Sequence, residues 1–169
     1  MNYQNISGSV PWIEVRHSLP SRIEYIEPIV DHLMEVIGGQ RADDSKFDIE
    51  IALQEALANA IIHGNYGDPG KQVEVSCRCG VDGAVDITIR DEGEGFDCRH
   101  LPDPTLPENR MSGHGRGIYL MCSLMDEIRY GDGGRTVHMR KNPTRNMPER
   151  LANGTRCGDP TEALQAARR

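Results

Sequence analysis

Three side chains in the middle of the chain have types and a spacing that could do chemistry together. Glu55, Asn59 and His63 recur at i, i+4 and i+8 in a segment that reads as a helix, so they project from one stripe of its surface. A carboxylate one turn from a carboxamide can serve a hydroxyl and a hard cation at once: Glu55 as proton acceptor, Asn59 as an oxygen ligand for Mg²⁺. Polar residues at helical spacing usually make a solvated face. Here the flanking Ala56, Leu57, Ala58, Ala60, Ile61 and Ile62 leave almost no such face, so the stripe is expected to border a cavity.

Two further groups follow in order. Asp91 stands two residues after Ile89 and, in a regular strand, shares the inward face of Val85, Ile87 and Ile89. An inward carboxylate at a strand end needs a buried donor, which the exocyclic amine of a purine could supply; the plainer alternative is a turn-forming Asp that bonds its own backbone. Gly93 and Gly95 would let backbone come close to a flat ligand. Further on, Gly113, Gly115 and Gly117 alternate with His114 and Arg116 just before an apolar helical run. Free backbone N–H groups and the helix dipole favour phosphate at such a place. The spacing is not that of a Walker A loop.

The elements needed to position these groups are also legible. Trp12 to Leu19 alternates and meets Pro20, an opening strand; Ile23, Ile26, Val30, Leu33 and Ile37 then trace one helix stripe closed by Gly38-Gly39. Pro28 either kinks that helix or sits in its first turn. Ser45 and Asp48 resemble a capping box for the helix that carries Glu55, which ends at Gly64-Asn65. Val73 to Cys79 and Val85 to Ile89 alternate around Gly80-Val81-Asp82-Gly83, a hairpin. The polar stretch from Asp91 to Gly117 is long enough for a functional loop or lid, with residues 98–112 expected to close over a triphosphate. Ile118, Leu120, Met121, Leu124 and Met125 mark a third helix, and Val137 with Met139 a last strand. The pattern predicts an α/β (α+β) two-layer sandwich over 12–141, with helices on one face of a mixed, mostly antiparallel sheet. Residues 142–169 form a polar extension with a short helix expected near 160–168.

Composition narrows the function. The 169 residues suit one domain, and 37% hydrophobic with 27% charged residues describes a globular protein. No apolar run is long enough to cross a bilayer, and the N-terminus lacks a signal-peptide pattern, so the expected location is the cytoplasm. Five cysteines without a CxxC pair argue against a disulfide framework or a zinc cage. A net charge of -7 disfavours nucleic acid and leaves proteins or small ligands as partners.

Taken in order, Glu55-x-x-x-Asn59, Asp91-x-Gly93-x-Gly95 and Gly113-x-Gly115-x-Gly117 resemble the three nucleotide boxes of the GHKL superfamily. The short form, with His63 four residues after Asn59, is similar to the RsbW-like anti-sigma factor serine/threonine kinases over about residues 12–141. The resemblance implies the Bergerat ATP-binding fold with ATP and Mg²⁺ between the helices and one face of the sheet. It implies Glu55 as general base toward a serine or threonine of a STAS-type anti-anti-sigma partner, and Asn59 as the Mg²⁺ ligand. Asp91 would take the adenine amine and Gly93 and Gly95 would shape its pocket. His63, Gly113, His114, Gly115, Arg116 and Gly117 would surround the nucleotide, the glycines as backbone contacts to phosphate. A sigma factor is the other implied partner, and a homodimer is compatible with the resemblance. One departure is that Arg135 follows Gly134, where the family often has threonine, and Thr136 has the opposite parity to Val137 and Met139. A nucleotide-dependent binding module without transfer is the competing function, and Glu55 alone separates the two.

Overall fold

A computed structural model describes residues 11–40, 45–96 and 116–143. The expected lid, the glycines at 113 and 115, His114 and the C-terminal extension lie outside the described residues. Within them, five strands form one sheet of order β1-β2-β3-β5-β4. These are β1 Trp12–Pro20, β2 Gln72–Gly80, β3 Val85–Asp91, β4 Glu127–Gly131 and β5 Thr136–Lys141. All four pairings among them are antiparallel, so no parallel pair supports the word "mixed".

Alternation along the strands decides which face is covered. Val73, Val75, Cys77 and Cys79 of β2 and Val85, Ile87, Ile89 and Asp91 of β3 are buried, while Glu74, Arg78 and Arg90 between them are exposed. The outer face is polar: Arg140 holds Asp86 at 2.8 and 3.0 Å, and Thr88 bonds His138 at 2.9 Å. The inner face packs against three helices, α1 Ile26–Gly38, α2 Ser45–Ala58 and α3 Arg116–Leu124. A short 3-10 turn, Ile23–Tyr25, precedes α1 and puts Pro28 inside its first turn, where the missing N–H costs no helical bond.

Central α2 is enclosed on most sides. Ile49, Ala52, Leu53, Ala56 and Leu57 are buried, and each fully buried leucine contributes ~1.5–3 kcal/mol through apolar area removed from water. Asp48 at its N-terminal end accepts Lys141 Nζ at 3.0 Å, which ties the helix to the end of β5. The expected continuous helix to His63 differs from the observed one in its last stretch. Asn59–Gly64 is a π turn, closed by the Asn65 N–H on the Ala60 carbonyl at 2.8 Å, five residues back. Strand β4 was not expected from the sequence. It has only five residues and one buried side chain, Ile128, too little for a clear period-two signal.

Candidate nucleotide site

Between α2, α3 and the inner ends of β3 and β5 lies a cavity of about 490 Å³. That is within the ~300–1,000 Å³ usual for small-molecule sites. Glu55, Asn59, His63, Asp91, Gly95 and Gly117 all line it. Helical period accounts for the first two: Glu55 is on α2 and Asn59, one turn on, opens the π turn. The π turn keeps His63 on the same wall although it lies beyond the regular helix. Arg116, by contrast, opens α3 with an exposed side chain.

Two of the glycines stand where any side chain would have to displace a neighbour. Gly117, in the first turn of α3, stands over Glu55: a β-carbon at 117 would lie 2.5 Å from Glu55 Oε2 and 3.5 Å from Asn59 Nδ2. Gly93 packs against the Gly64 carbonyl so tightly that a β-carbon would overlap it. Gly95 has φ +77, a conformation side chains rarely adopt, and its amide neighbour Phe96 bonds the Gly133 carbonyl at 2.9 Å. These contacts draw the segment after β3 against the β4–β5 turn.

Asp91 is 8% exposed. Its Oδ1 accepts the Gly93 N–H at 2.8 Å, and its own N–H donates to the Arg135 carbonyl at 3.0 Å. Burial pushes the Asp91 carboxyl above the ordinary carboxylate range; the Gly93 bond and the charges of Arg135 and Lys71 pull back without cancelling it. A raised folded pKa means the folded protein holds this proton more tightly than the unfolded chain. Its contribution to stability is therefore fullest at acid pH and is lost as pH rises through the folded pKa. Asp91→Asn should accordingly raise the thermal midpoint of the nucleotide-free protein at neutral pH. The gain should shrink toward zero as pH falls below the carboxylate range, which thermal scans across pH would read; a gain independent of pH would show that ionisation of Asp91 is not the cause.

Asn59 carries a second signature. Its Nδ2 is buried and has no hydrogen-bond partner in the protein, which is costly unless a ligand supplies one. The two ends of a carboxamide exchange by a half-turn, so either the oxygen or the N–H₂ can face the cavity. The site thus offers an acid–base group and an amide oxygen to one end and a buried acceptor, Asp91, to the other.

Several lining residues were not among those expected from the sequence. Phe96 and Tyr130 meet edge to face with centroids 5.3 Å apart, and Ile118, Met121 and Val137 supply the apolar floor. Arg135 borders the cavity beside Asp91, with its Nε on the Asp132 carbonyl at 3.0 Å. Thr136 turns away: its hydroxyl donates to Asp132 Oδ2 at 3.1 Å, in line with its strand parity. Phe96, Tyr130 and Arg135 come from turns and a short strand, where no period announces them, whereas Ile118, Met121 and Val137 are legible only as apolar positions of α3 and β5.

A buried acceptor beneath a glycine-lined wall, opposite a helix that presents a carboxylate and an amide, defines a nucleotide-binding domain of the histidine-kinase-like class. The chain belongs to that family: residues 19–141 match the model of the histidine kinase-like ATPase domain. It is similar to the serine-protein kinase RsbW of Bacillus licheniformis, with 37% identity over 146 residues, covering 80% of this chain and 88% of the relative. The RsbW of Bacillus subtilis strain 168 is 33% identical over the same length and coverage. The anti-sigma F factor of Geobacillus kaustophilus is 37% identical over 106 residues, 59% of this chain and 70% of that protein. No helix among the described residues is long and apolar enough to cross a membrane.

Proposed function

We propose that this chain is an ATP-dependent protein serine/threonine kinase that phosphorylates an anti-anti-sigma partner of the STAS type and also sequesters a sigma factor. The names of its relatives support both halves. The observation that carries the kinase half is the packing of Glu55, Asn59 and Gly117 at one end of the cavity. Glu55 Oε2 and the first turn of α3 face each other there, so a hydroxyl brought between them meets a proton acceptor beside the N-terminal turn of a helix.

In this reading ATP enters with adenine toward Asp91, whose carboxylate accepts the exocyclic amine. The apolar floor excludes water from the base. The triphosphate runs toward the N-terminus of α3, where Gly117 admits backbone at close range. Asn59 turns its amide oxygen into the cavity to hold Mg²⁺, whose charge would offset that of the phosphates during transfer. Glu55 takes the proton from the attacking serine or threonine hydroxyl as the phosphoryl group moves.

The direct test is transfer of the γ-phosphate from radiolabelled ATP to a purified STAS-type partner, with phosphoserine or phosphothreonine identified in the product. Stoichiometric labelling that requires Mg²⁺ is expected. Nucleotide-dependent binding of the partner with no label incorporated would sink the kinase half.

A further inference from the structure

Among the described residues, one fully buried side chain outside the catalytic pair and the base contact hydrogen-bonds through both ends of its amide. Asn65, which is 0% exposed, follows the π turn. Its Nδ2 donates to the Gln72 carbonyl at the start of β2 at 2.9 Å, and its Oδ1 accepts the Glu92 N–H just past β3 at 2.8 Å. One carboxamide thus joins the end of the α2 segment to two strands. Glu92 answers with a second bond, its Oε2 accepting the Gln72 N–H at 2.7 Å.

We infer that Asn65 is a positioning residue for base selection, acting through Asp91 and resting on the adenine reading above. The consecutive N–H groups of Glu92 and Gly93 have different acceptors, Asn65 Oδ1 and Asp91 Oδ1. With both held, Asp91 Oδ1 stays on the Gly93 N–H and the carboxylate keeps one orientation toward the cavity. The π turn makes this geometry reachable: the extra residue brings Gly64 directly beneath the Asp91 carboxylate, so closely that a β-carbon there would displace it. Tyr66, at φ +57, then turns the chain away so that Asn65 can stay inside. Without the clamp, Glu92 N–H is free to compete for Asp91, and the carboxylate loses its fixed aim.

The chemistry gives a readout that loss of stability does not mimic. Inosine differs from adenosine at the base by a carbonyl oxygen in place of the 6-amine, and that oxygen faces a carboxylate as acceptor to acceptor. The ratio of ITP to ATP dissociation constants therefore measures the aim of Asp91, while the ITP constant alone reports the rest of the site. Calorimetry on the full chain with Mg²⁺-ATP and Mg²⁺-ITP should give about a tenfold loss of this ratio in Asn65→Ala, with ITP affinity within about twofold of wild type. Asn65→Asp keeps the acceptor for Glu92 and should retain the ratio within about threefold, which serves as the reading if the alanine variant does not fold. Asp91→Asn is the reference and should flatten the ratio outright. If Asp91→Asn leaves the ratio unchanged, the adenine reading falls and this inference with it. If Asp91→Asn flattens the ratio while Asn65→Ala keeps it, loses ATP and ITP in parallel, or Asn65→Asp loses it about tenfold, Asn65 is structural only and the adenine reading stands.

Discussion

Glu55→Gln is expected to cut phosphotransfer to a STAS-type partner by ~10² to 10⁴ while leaving ATP affinity within about threefold of wild type. Glutamine has the size and hydrogen-bonding reach of glutamate, so the packing beneath Gly117 survives and the cavity keeps its shape. What it lacks is the ability to take a proton from the incoming hydroxyl. The loss should therefore fall on kcat, since a general base acts in the transition state and contributes little to ground-state nucleotide binding. Single-turnover transfer from labelled ATP, set beside calorimetric ATP affinity, separates the two. A variant that transfers at more than about a tenth of the wild-type rate would remove Glu55 as the base.

The chemistry was easier to read in the sequence than the framework that aims it. Glu55 lies on α2 and Asn59 one turn further on, where the helical period assigns each side chain a face, and Asp91 inherits its inward direction from the alternation of Val85, Ile87 and Ile89. Those regularities survive folding because burial enforces them. The π turn has no such signature. Asn59–Gly64 reads as more helix, and only the contact of Gly64 with Asp91 and the burial of Asn65 require the extra residue. Asn65 is hidden for a related reason: an asparagine after a glycine reads as a helix stop and turn former, and nothing local says that both ends of its amide find backbone partners 7 and 27 residues away. Arg135, Phe96 and Tyr130 reach the cavity from turns and a short strand, where direction is set by tertiary contacts such as the pairing of Phe96 N–H with Gly133. Thr136 was the exception among turn-adjacent residues, because strand parity in β5 sufficed to point it away.

Asn59→Ala should behave unlike Glu55→Gln, although the two residues stand only one turn apart. Removing the carboxamide deletes the amide oxygen proposed for Mg²⁺ and the orphaned Nδ2 together. Both serve the triphosphate in the ground state and during transfer, so affinity and rate should fall together: roughly 10- to 100-fold in Mg²⁺-ATP binding, by analogy with groups that support a metal site, and about 10² to 10³ in transfer, the range for loss of one electrostatic stabiliser. The fold should tolerate the change and even gain from it, since a buried polar group without a partner is a cost to the nucleotide-free protein. Thermal melting without nucleotide is thus expected to be unchanged or slightly raised, while the upward shift given by saturating Mg²⁺-ATP should largely vanish. ADP without metal supplies the control, because its affinity depends on the base and the apolar floor and should change little. If Asn59→Ala lowers the melting midpoint of the nucleotide-free protein and weakens ADP without metal as much as Mg²⁺-ATP, the residue supports the helix and not the phosphates, and the metal assignment fails.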